Sequence, residues 1–397
     1  MLKGYKTEIL PSEEQALKIR QTLGTCRYLY NLYLASNFEV YETLGKGFFV
    51  TAYTFDKYVN HVVKKELPWI DKCGAKARKQ AMTNAERAFK NYMQGKTNRP
   101  KFKKKRQQKV KAYFPKNAKG DWTIWRHKIQ VPTIGIVKLK EKGYLPTKAK
   151  IHSGTVSYKA GRYYVSVLVE VPDNISEKPQ GEGIGIDLGI KELAVMSNGV
   201  IKPNINKTPQ VKKLDKKLRR EQRRLSRKYV DKKKRGEKIA TYSANIEKQV
   251  VKIQRLYQTL TNIRVDYENK IISAIVKRKP SFIVLEDLNV RGMMKNRHLS
   301  RAIAVQRLSY FRTKLTIKAK QYGIEVRIAD RFYPSSKKCS RCGRIKSDLK
   351  LKDRIYRCEC GLEMDRDLNA AINLRNATKY ETASLPVASR KVTTVEC

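Results

Sequence analysis

Negative charge is scarce in this chain. Its 397 residues carry 36 Asp plus Glu against 87 Lys plus Arg, a formal net charge of +51 at pH 7. Self-repulsion on that scale loosens a compact monomer and attracts polyanions, unless a phosphate backbone supplies the missing charge. A metabolic enzyme for small neutral substrates does not fit. Long apolar runs are also missing: none approaches the ~18 residues of a membrane span. Residues 1–10 are charged from the start and lack a signal-peptide core, so a soluble cytosolic protein is expected. Histidine is limited to His61, His127, His152 and His298, dispersed without ligand spacing. No Ser-His-Asp or Cys-His pattern and no Walker loop occurs, and Gly181, Gly183, Gly185 and Gly189 do not match GxGxxG. Apolar material is not lacking. Hydrophobic residues make up 41% and aromatics 9%, which excludes a disordered basic tail, and the length suits two to four domains.

The seven cysteines fit no disulfide framework. Cys26, Cys73 and Cys397 are scattered, whereas Cys339-Ser-Arg-Cys342-Gly343 and Cys358-Glu-Cys360-Gly361 form two close pairs, each followed by Gly. Four thiolates so spaced read as a closed, structural tetrahedral Zn²⁺ site. The second pair is CxC, a tighter knuckle than the commoner CxxC.

Along the chain, residues 3–10 read as a strand, and Ser12 with Gln15 as a capping box. Ile19, Leu23, Cys26 and Tyr30 then mark a helical stripe, and residues 55–65 and 75–93 continue a helical bundle that closes at Gly95. Residues 99–119 hold ten Lys or Arg, no acid, and the aromatics Phe102, Tyr113 and Phe114. Cations alternating with stacking faces suit a nucleic-acid backbone with exposed bases, which nominates Lys103, Lys104, Arg106 and Tyr113. Residues 123–131, 155–159 and 163–171 read as strands of a small barrel or sandwich, with a hairpin turn at Ala160-Gly161. A turn-rich linker over 172–183 marks the main boundary. Beyond it the pattern is α/β: strands at 184–187, 193–197 and 282–285, and long helices from about 210 to 274. Residues 207–238 carry sixteen basic against four acidic side chains, yet Val211, Leu214, Leu218 and Leu225 keep an apolar seam. That is a docked helix with a positive outer face, which nominates Arg219, Arg220, Arg223 and Arg224. The segment after Asn376 is expected to fray.

Three carboxylates stand out by context. Asp187 sits at a strand end before Gly189, Glu286 ends the run Phe282-Ile-Val-Leu285, and Asp367 opens a helix whose Leu368, Ala371 and Ile372 would face inward. Three acids at one sheet edge repel unless cations lie between them, and hard oxygen ligands select Mg²⁺ or Mn²⁺. Two such ions about 4 Å apart serve phosphodiester hydrolysis.

With these residues in place the sequence resembles the TnpB family, proteins of bacterial insertion sequences that look like compact relatives of type V CRISPR effectors. The carrying motifs are YKTEILPSEEQ (5–15), TLGTCRYLYN (22–31), RPKFKK (99–104), GIDLGIK (185–191), QRRLSR (222–227), LEDLNV (285–290), the Pro334 to Gly343 segment with its first cysteine pair, and Asp365 to Ala371. The resemblance implies a multidomain protein, α/β plus α and β: an RNase H-like (RuvC) nuclease at 181–335 and 363–376, with a zinc ribbon inserted at 336–362. A helical recognition lobe would occupy 11–115, a β-barrel wedge 1–10 and 116–180, and a flexible tail 377–397. It implies an Mg²⁺-dependent RNA-guided DNA endonuclease with Asp187, Glu286 and Asp367 as catalytic acids. Its partners would be guide RNA, one protein per guide, and double-stranded DNA beside a short motif. The setting would be the bacterial cytoplasm, at the nucleoid when on DNA. Lys76, Arg78, Lys79 and Gln80, on a helix whose family counterparts contact DNA, are candidate contacts. Where the family often has RxDFxHK, this chain reads Arg264-Val-Asp266-Tyr-Glu-Asn269-Lys270 and lacks the His. A guided regulator that does not cut, or an RNA-independent transposase of the same fold, are the alternatives.

Overall fold

The computed structural model describes residues 2–45, 47–105, 110–118, 120–172, 179–236, 243–350 and 353–383. The chain forms two compact units, Met1–Pro172 and Asp173–Cys397, divided where the turn-rich linker begins.

In the first unit, strand β1 (Leu2–Leu10) leads into helix α1 (Glu13–Leu44), and the capping box closes as its residue types dictate. Gln15 N donates to Ser12 Oγ at 3.3 Å and Ser12 N to Gln15 Oε1 at 3.1 Å. α2 (Ala52–Tyr58) runs through a π turn (Val59–Val63) into α3 (Lys64–Glu66), a 3₁₀ turn (Pro68–Lys72) and α4 (Ala75–Met93). Strands β2 (Lys111–Pro115), β3 (Thr123–Ile124), β4 (Lys128–Val131), β5 (Gly135–Leu139), β6 (Lys150–Lys159) and β7 (Arg162–Glu170) join β1 in a seven-stranded sheet ordered β2-β6-β7-β1-β5-β4-β3. The hairpin turn lies between paired Lys159 and Arg162, with Ala160 and Gly161 both at positive φ. β2 brings the start of the sheet to residue 111, before the expected 116, because Lys111 to Pro115 hydrogen-bond along β6. The α1 stripe serves two cores: Ile19, Leu23 and Cys26 pack on the sheet, while Tyr30 joins Tyr33, Phe55, Met82 and Phe89 between helices.

In the second unit, β8 (Ile184–Leu188), β9 (Glu192–Met196), β10 (Ile201–Pro203), β11 (Phe282–Glu286), β12 (Glu325–Ala329) and β15 (Tyr380–Thr382) form a sheet ordered β10-β9-β8-β11-β12-β15. β9 and β10 turn back antiparallel, whereas β11 and β12 run parallel to β8. β15 corrects the expectation of a frayed tail from residue 377: Tyr380, Glu381 and Thr382 pair antiparallel with β12. Residues 384–397 lie outside the described residues. Helices α5 (Pro209–Lys234) and α6 (Ala244–Lys277) pack along the expected seam, Val211 and Leu218 against Ile253, Leu256 and Leu260. α7 (Val290–Met293), α8 (Ser300–Gln306) and α9 (Leu308–Gln321) lead into β12, and a hairpin of β13 (Ile355–Arg357) and β14 (Glu363–Asp365) precedes α10 (Arg366–Arg375). No helix among the described residues is long and apolar enough to cross a membrane.

Side-chain alternation sorts the two faces of this sheet. Ile184, Ile186 and Leu188 of β8, with Ile283 and Leu285 of β11, join α6 and α9 in one core. The other parity, Gly185 and Asp187 on β8 and Val284 and Glu286 on β11, faces α10, where Val284 packs with Leu374.

Glu268 on α6 is buried, and its Oε2 has no hydrogen-bond partner among the described residues. Arg307 Nε stands 3.4 Å from Oε1. Burial pushes the carboxyl up to about 7 against the pull of Arg307 and Arg264. A group raised above its unfolded value stabilises the fold at low pH, and that contribution is lost as pH rises from about 4.5 through 7. Glu268→Gln should flatten the fall in stability between pH 5 and 8 by on the order of 1 kcal/mol, allowing for screening, as thermal melts across that range would show.

Candidate functional site

Parallel pairing sets Leu285 beside Ile186, so Glu286 and Asp187 occupy the next rung at the carboxyl ends of two central strands, on the face that α10 covers. Asp367 enters that face from the first turn of α10. Asp365 caps this helix, accepting from Asp367 N at 2.8 Å and Leu368 N at 3.1 Å. α10 lies close over β8 because residue 185 is Gly: a Cβ there would overlap the Ala371 carbonyl oxygen and the Arg375 amide nitrogen. Gly185→Ala should therefore displace α10. We expect a loss of about 3 kcal/mol in denaturant unfolding and a fall on the order of a hundredfold in any reaction that uses Asp367 with Asp187.

The structure brings the three acids into one electrostatic unit. Burial pushes the Asp187 carboxyl up to about 7, and the nearby charges of Asp367 and Glu286 add to the rise, with Arg366 opposing. Burial also raises Glu286, with Asp287 adding to it. Asp287 is held below the usual range against its own burial, because Arg331 and Arg312 both bind it, Arg312 Nη1 at 3.0 Å. The residue after Glu286 is thus clamped by two guanidiniums. The three acids are close enough to repel, yet not drawn tightly together. Among the described residues the only group of three or more His, Cys, Asp or Glu with ligand atoms all within 4.8 Å of one another is Cys339, Cys342, Cys358 and Cys360.

Those cysteines form the expected cluster. The Cys339 and Cys360 sulfurs are 3.6 Å apart, as are those of Cys342 and Cys358. A tetrahedron of sulfurs about 2.3 Å from a central ion has edges of about 3.8 Å, so the donor set fits a zinc-sized ion. Each pair is followed by a matching knuckle: Gly343 N donates to Cys339 O and Gly361 N to Cys358 O, both at 3.0 Å and both glycines at positive φ. Although burial opposes it, backbone N–H groups of Cys342 and Arg341 bring the Cys339 thiol down to about 7.

Sequence reasoning missed the tie between this cluster and α10. α10 buries Asn369, Ala370, Ala371, Asn373 and Leu374, while Leu368 and Ile372 are only half-buried, which corrects the expected inward set. Asn369 Nδ2 donates to Lys338 O at 2.7 Å and its Oδ1 accepts from Ser340 N at 3.0 Å. Asn373 Nδ2 donates to Ser335 O at 2.8 Å and to Lys338 O at 2.6 Å. The signal was present as two Asn four residues apart on one helix face.

The candidate nucleic-acid contacts divide. Arg78 is buried and donates to Ile70 O and Asp71, so it braces the fold and does not belong to an exposed face. Lys76 pairs with Asp121 at 2.7 Å, Lys79 with Asp56 at 3.4 Å, and Gln80 bonds Asn84. Lys103 is half-buried with Nζ 3.2 Å from the Tyr30 ring centroid, and burial lowers it to about 8. Lys104 is exposed, Tyr113 is half-buried on β2, and Arg106 lies outside the described residues. On α5, Arg219 binds Asp215 and Arg224 binds the buried Glu221, whereas exposed Arg220 and Arg223 have no partner among the described residues. Asn269, at the position of the missing His, is exposed, and Arg264 Nε instead donates to Asn206 Oδ1 at 2.7 Å.

Fold and site together define a multidomain, mixed α/β protein with an acidic strand-end site and a four-cysteine metal-ligand cluster. Against known proteins, residues 166–297 match a family described as "Probable transposase", 309–374 a "Cas12f1-like, TNB domain", and 1–46 a "Helix-turn-helix domain". The last of these spans β1 and the unbroken α1 here. A Streptomyces pristinaespiralis protein named "Putative RNA-guided DNA endonuclease" is 30% identical over 379 residues, 94% of this chain and 88% of its own. The Escherichia coli (strain K12) protein "Putative RNA-guided DNA endonuclease InsQ" is 28% identical over 393 residues, 94% and 91% of the two chains. A chain in a solved Cas12f1-sgRNA-target DNA complex shares the fold at TM-score 0.57 and 17% identity, covering 93% of this chain and 83% of that one. The chain belongs to the TnpB family.

Proposed function

We propose that this protein is an RNA-guided DNA endonuclease, which holds a guide RNA and cuts double-stranded DNA beside a short motif. The observation that carries the reading is Asp187: a half-buried residue at a strand end, its carboxyl raised by desolvation first and then by the charges of Asp367 and Glu286 on the same face of the sheet. Mutual repulsion among partly desolvated carboxylates is what a divalent cation relieves, so Asp187, Glu286 and Asp367 are assigned to hold Mg²⁺ or Mn²⁺. When bound, such ions activate water and stabilise the leaving oxygen of a phosphodiester. The chain supplies the rest. β8 and β11 fix two carboxylates side by side, the α10 N-terminus steadies the third, and Arg312 and Arg331 hold Asp287 away from the trio.

The order β10-β9-β8-β11-β12, with the first three antiparallel and the next two parallel to β8, supports an RNase H-like (RuvC) module at 181–335 and 363–376. The cysteine hairpin between β12 and α10 is assigned as a zinc ribbon at 336–362, extended by β14 to Asp365. Helices within 11–115 are assigned to guide and target recognition, and the seven-stranded sheet to the wedge. The names of the relatives and the net charge of +51 support guide RNA and target DNA as partners. The test is to express the protein with its native flanking sequence, sequence the RNA that accompanies it, and offer a plasmid matching that RNA. Cleavage in Mg²⁺ that stops in EDTA is expected. Guided binding without any nicking would leave a regulator, and cleavage by RNA-free protein a transposase-like enzyme.

A further inference from the structure

The surface of α1 around the segment TLGTCRYLYN (22–31) has no role in the acidic site. There α1 and the 3₁₀ turn Pro68–Lys72 enclose a concavity of about 340 Å³, lined by Gln21, Gly24, Arg27, Tyr28, Trp69 and Lys72 among others. Trp69 is 41% exposed although it sits in this hollow. Its ring meets Tyr28 edge-on, with centroids 5.2 Å apart and planes at 71°, so the pair is not a closed stack. Arg27 is half-buried, and neither it nor Lys72 makes a hydrogen bond or ion pair among the described residues. Gln21 is exposed, and no carboxylate lines the hollow.

A half-buried guanidinium without an acceptor, beside an open indole, matches a ligand that offers both an anion and a flat π surface. A nucleotide offers both: phosphate for Arg27 and Lys72, and a base for Trp69. The size suits one nucleotide, and a base within a duplex does not expose its face, so the ligand is unpaired. A second concavity of the same unit, lined by Phe38, Glu39, Glu42 and Arg99, differs in kind: Glu42 already binds Arg99 at 2.8 Å, and two acids stand against phosphate.

We propose that this hollow captures a single unpaired nucleotide of the guide RNA, its base on Trp69 and its phosphate on Arg27 and Lys72. RNA is the source because loops of a folded RNA hold bases splayed out, whereas DNA keeps them stacked until it is opened. The proposal rests on the guided-nuclease reading above.

The test is 2′-hydroxyl acylation of the RNA that co-purifies with the wild type and with Trp69→Ala, Trp69→Phe and Arg27→Gln. One or two nucleotides unreactive in the wild-type complex should gain reactivity on the order of tenfold in Trp69→Ala, by the loss of base stacking. Arg27→Gln should expose the same nucleotides, and Trp69→Phe should keep most of the protection. RNA that co-purifies normally with identical profiles in every variant overturns the pocket and leaves the guided nuclease standing. So does Trp69→Phe behaving as Trp69→Ala. A change found only on the displaced DNA strand, read by permanganate at unpaired thymines, also overturns it. Wild-type protein carrying no RNA would overturn both readings.

Discussion

Asp187→Ala is expected to reduce guided cleavage of a matched plasmid on the order of a thousandfold or more, with RNA content and target binding unchanged. The size follows from the role: a carboxylate that holds the ion stabilising the developing charge is worth several kcal/mol in the transition state, and about 1.4 kcal/mol is tenfold in rate. The separation of cutting from binding follows from placement. Asp187 lies inside the second unit beneath α10, where it contributes to neither a basic surface nor a core contact among apolar side chains. In the metal-free protein it is a partly desolvated acid repelled by two others, so its removal takes away a cost, and the thermal midpoint should hold or rise. Gel-shift and cleavage assays on one preparation decide this. Cleavage that survives in Asp187→Ala would refute the assignment of the site.

Loss of the zinc assigned to the cysteine cluster should be as damaging to cleavage, although no cysteine is assigned to the chemistry. Structural zinc contributes roughly 10–16 kcal/mol of apparent binding energy to small domains that depend on it. Cys339→Ser should therefore abolish stoichiometric zinc and lower the thermal midpoint of the second unit. The route to the assigned acids is direct: Lys338 and Ser340 flank Cys339 and hydrogen-bond Asn369 and Asn373 of α10, whose first turn carries Asp367. An unlaced knuckle releases those asparagines, and a displacement of about 1 Å at a reacting group costs about a hundredfold. Asn373→Ala separates the two effects. It should retain zinc, measured by atomic absorption, and lose cleavage on the order of tenfold or more. Full activity in Asn373→Ala would show that the cluster stabilises the fold without positioning Asp367.

Much of the candidate site was legible because residue type and spacing carry it. Two cysteine pairs with trailing glycines announce a metal knuckle at any place in a fold. Asp187 and Glu286 were legible because each closes an apolar strand run, and strand ends are where polar groups of a buried sheet can emerge. The α5 seam followed from helical periodicity, and the Ser12–Gln15 box from local capping chemistry alone. Arg78 failed for the opposite reason. A basic residue on an amphipathic helix looks solvated in one dimension, and only the neighbouring 3₁₀ turn, with Ile70 O and Asp71 waiting for it, turns it inward. β15 was hidden because its three residues have no core of their own and gain strand structure only from the edge of β12.

The sequence by itself determined the excess of positive charge, the four-thiolate cluster, and the identity of three acids, since each is a matter of side-chain chemistry and short-range spacing. The tertiary structure alone decided that Asp187 and Glu286 share a rung, that α10 can lie over Gly185, and that two asparagines lace this helix to the knuckle. Strand register, helix approach and burial arise between segments far apart along the chain, from the 31 residues between Lys338 and Asn369 upward, and no local pattern encodes the meeting of such distant groups.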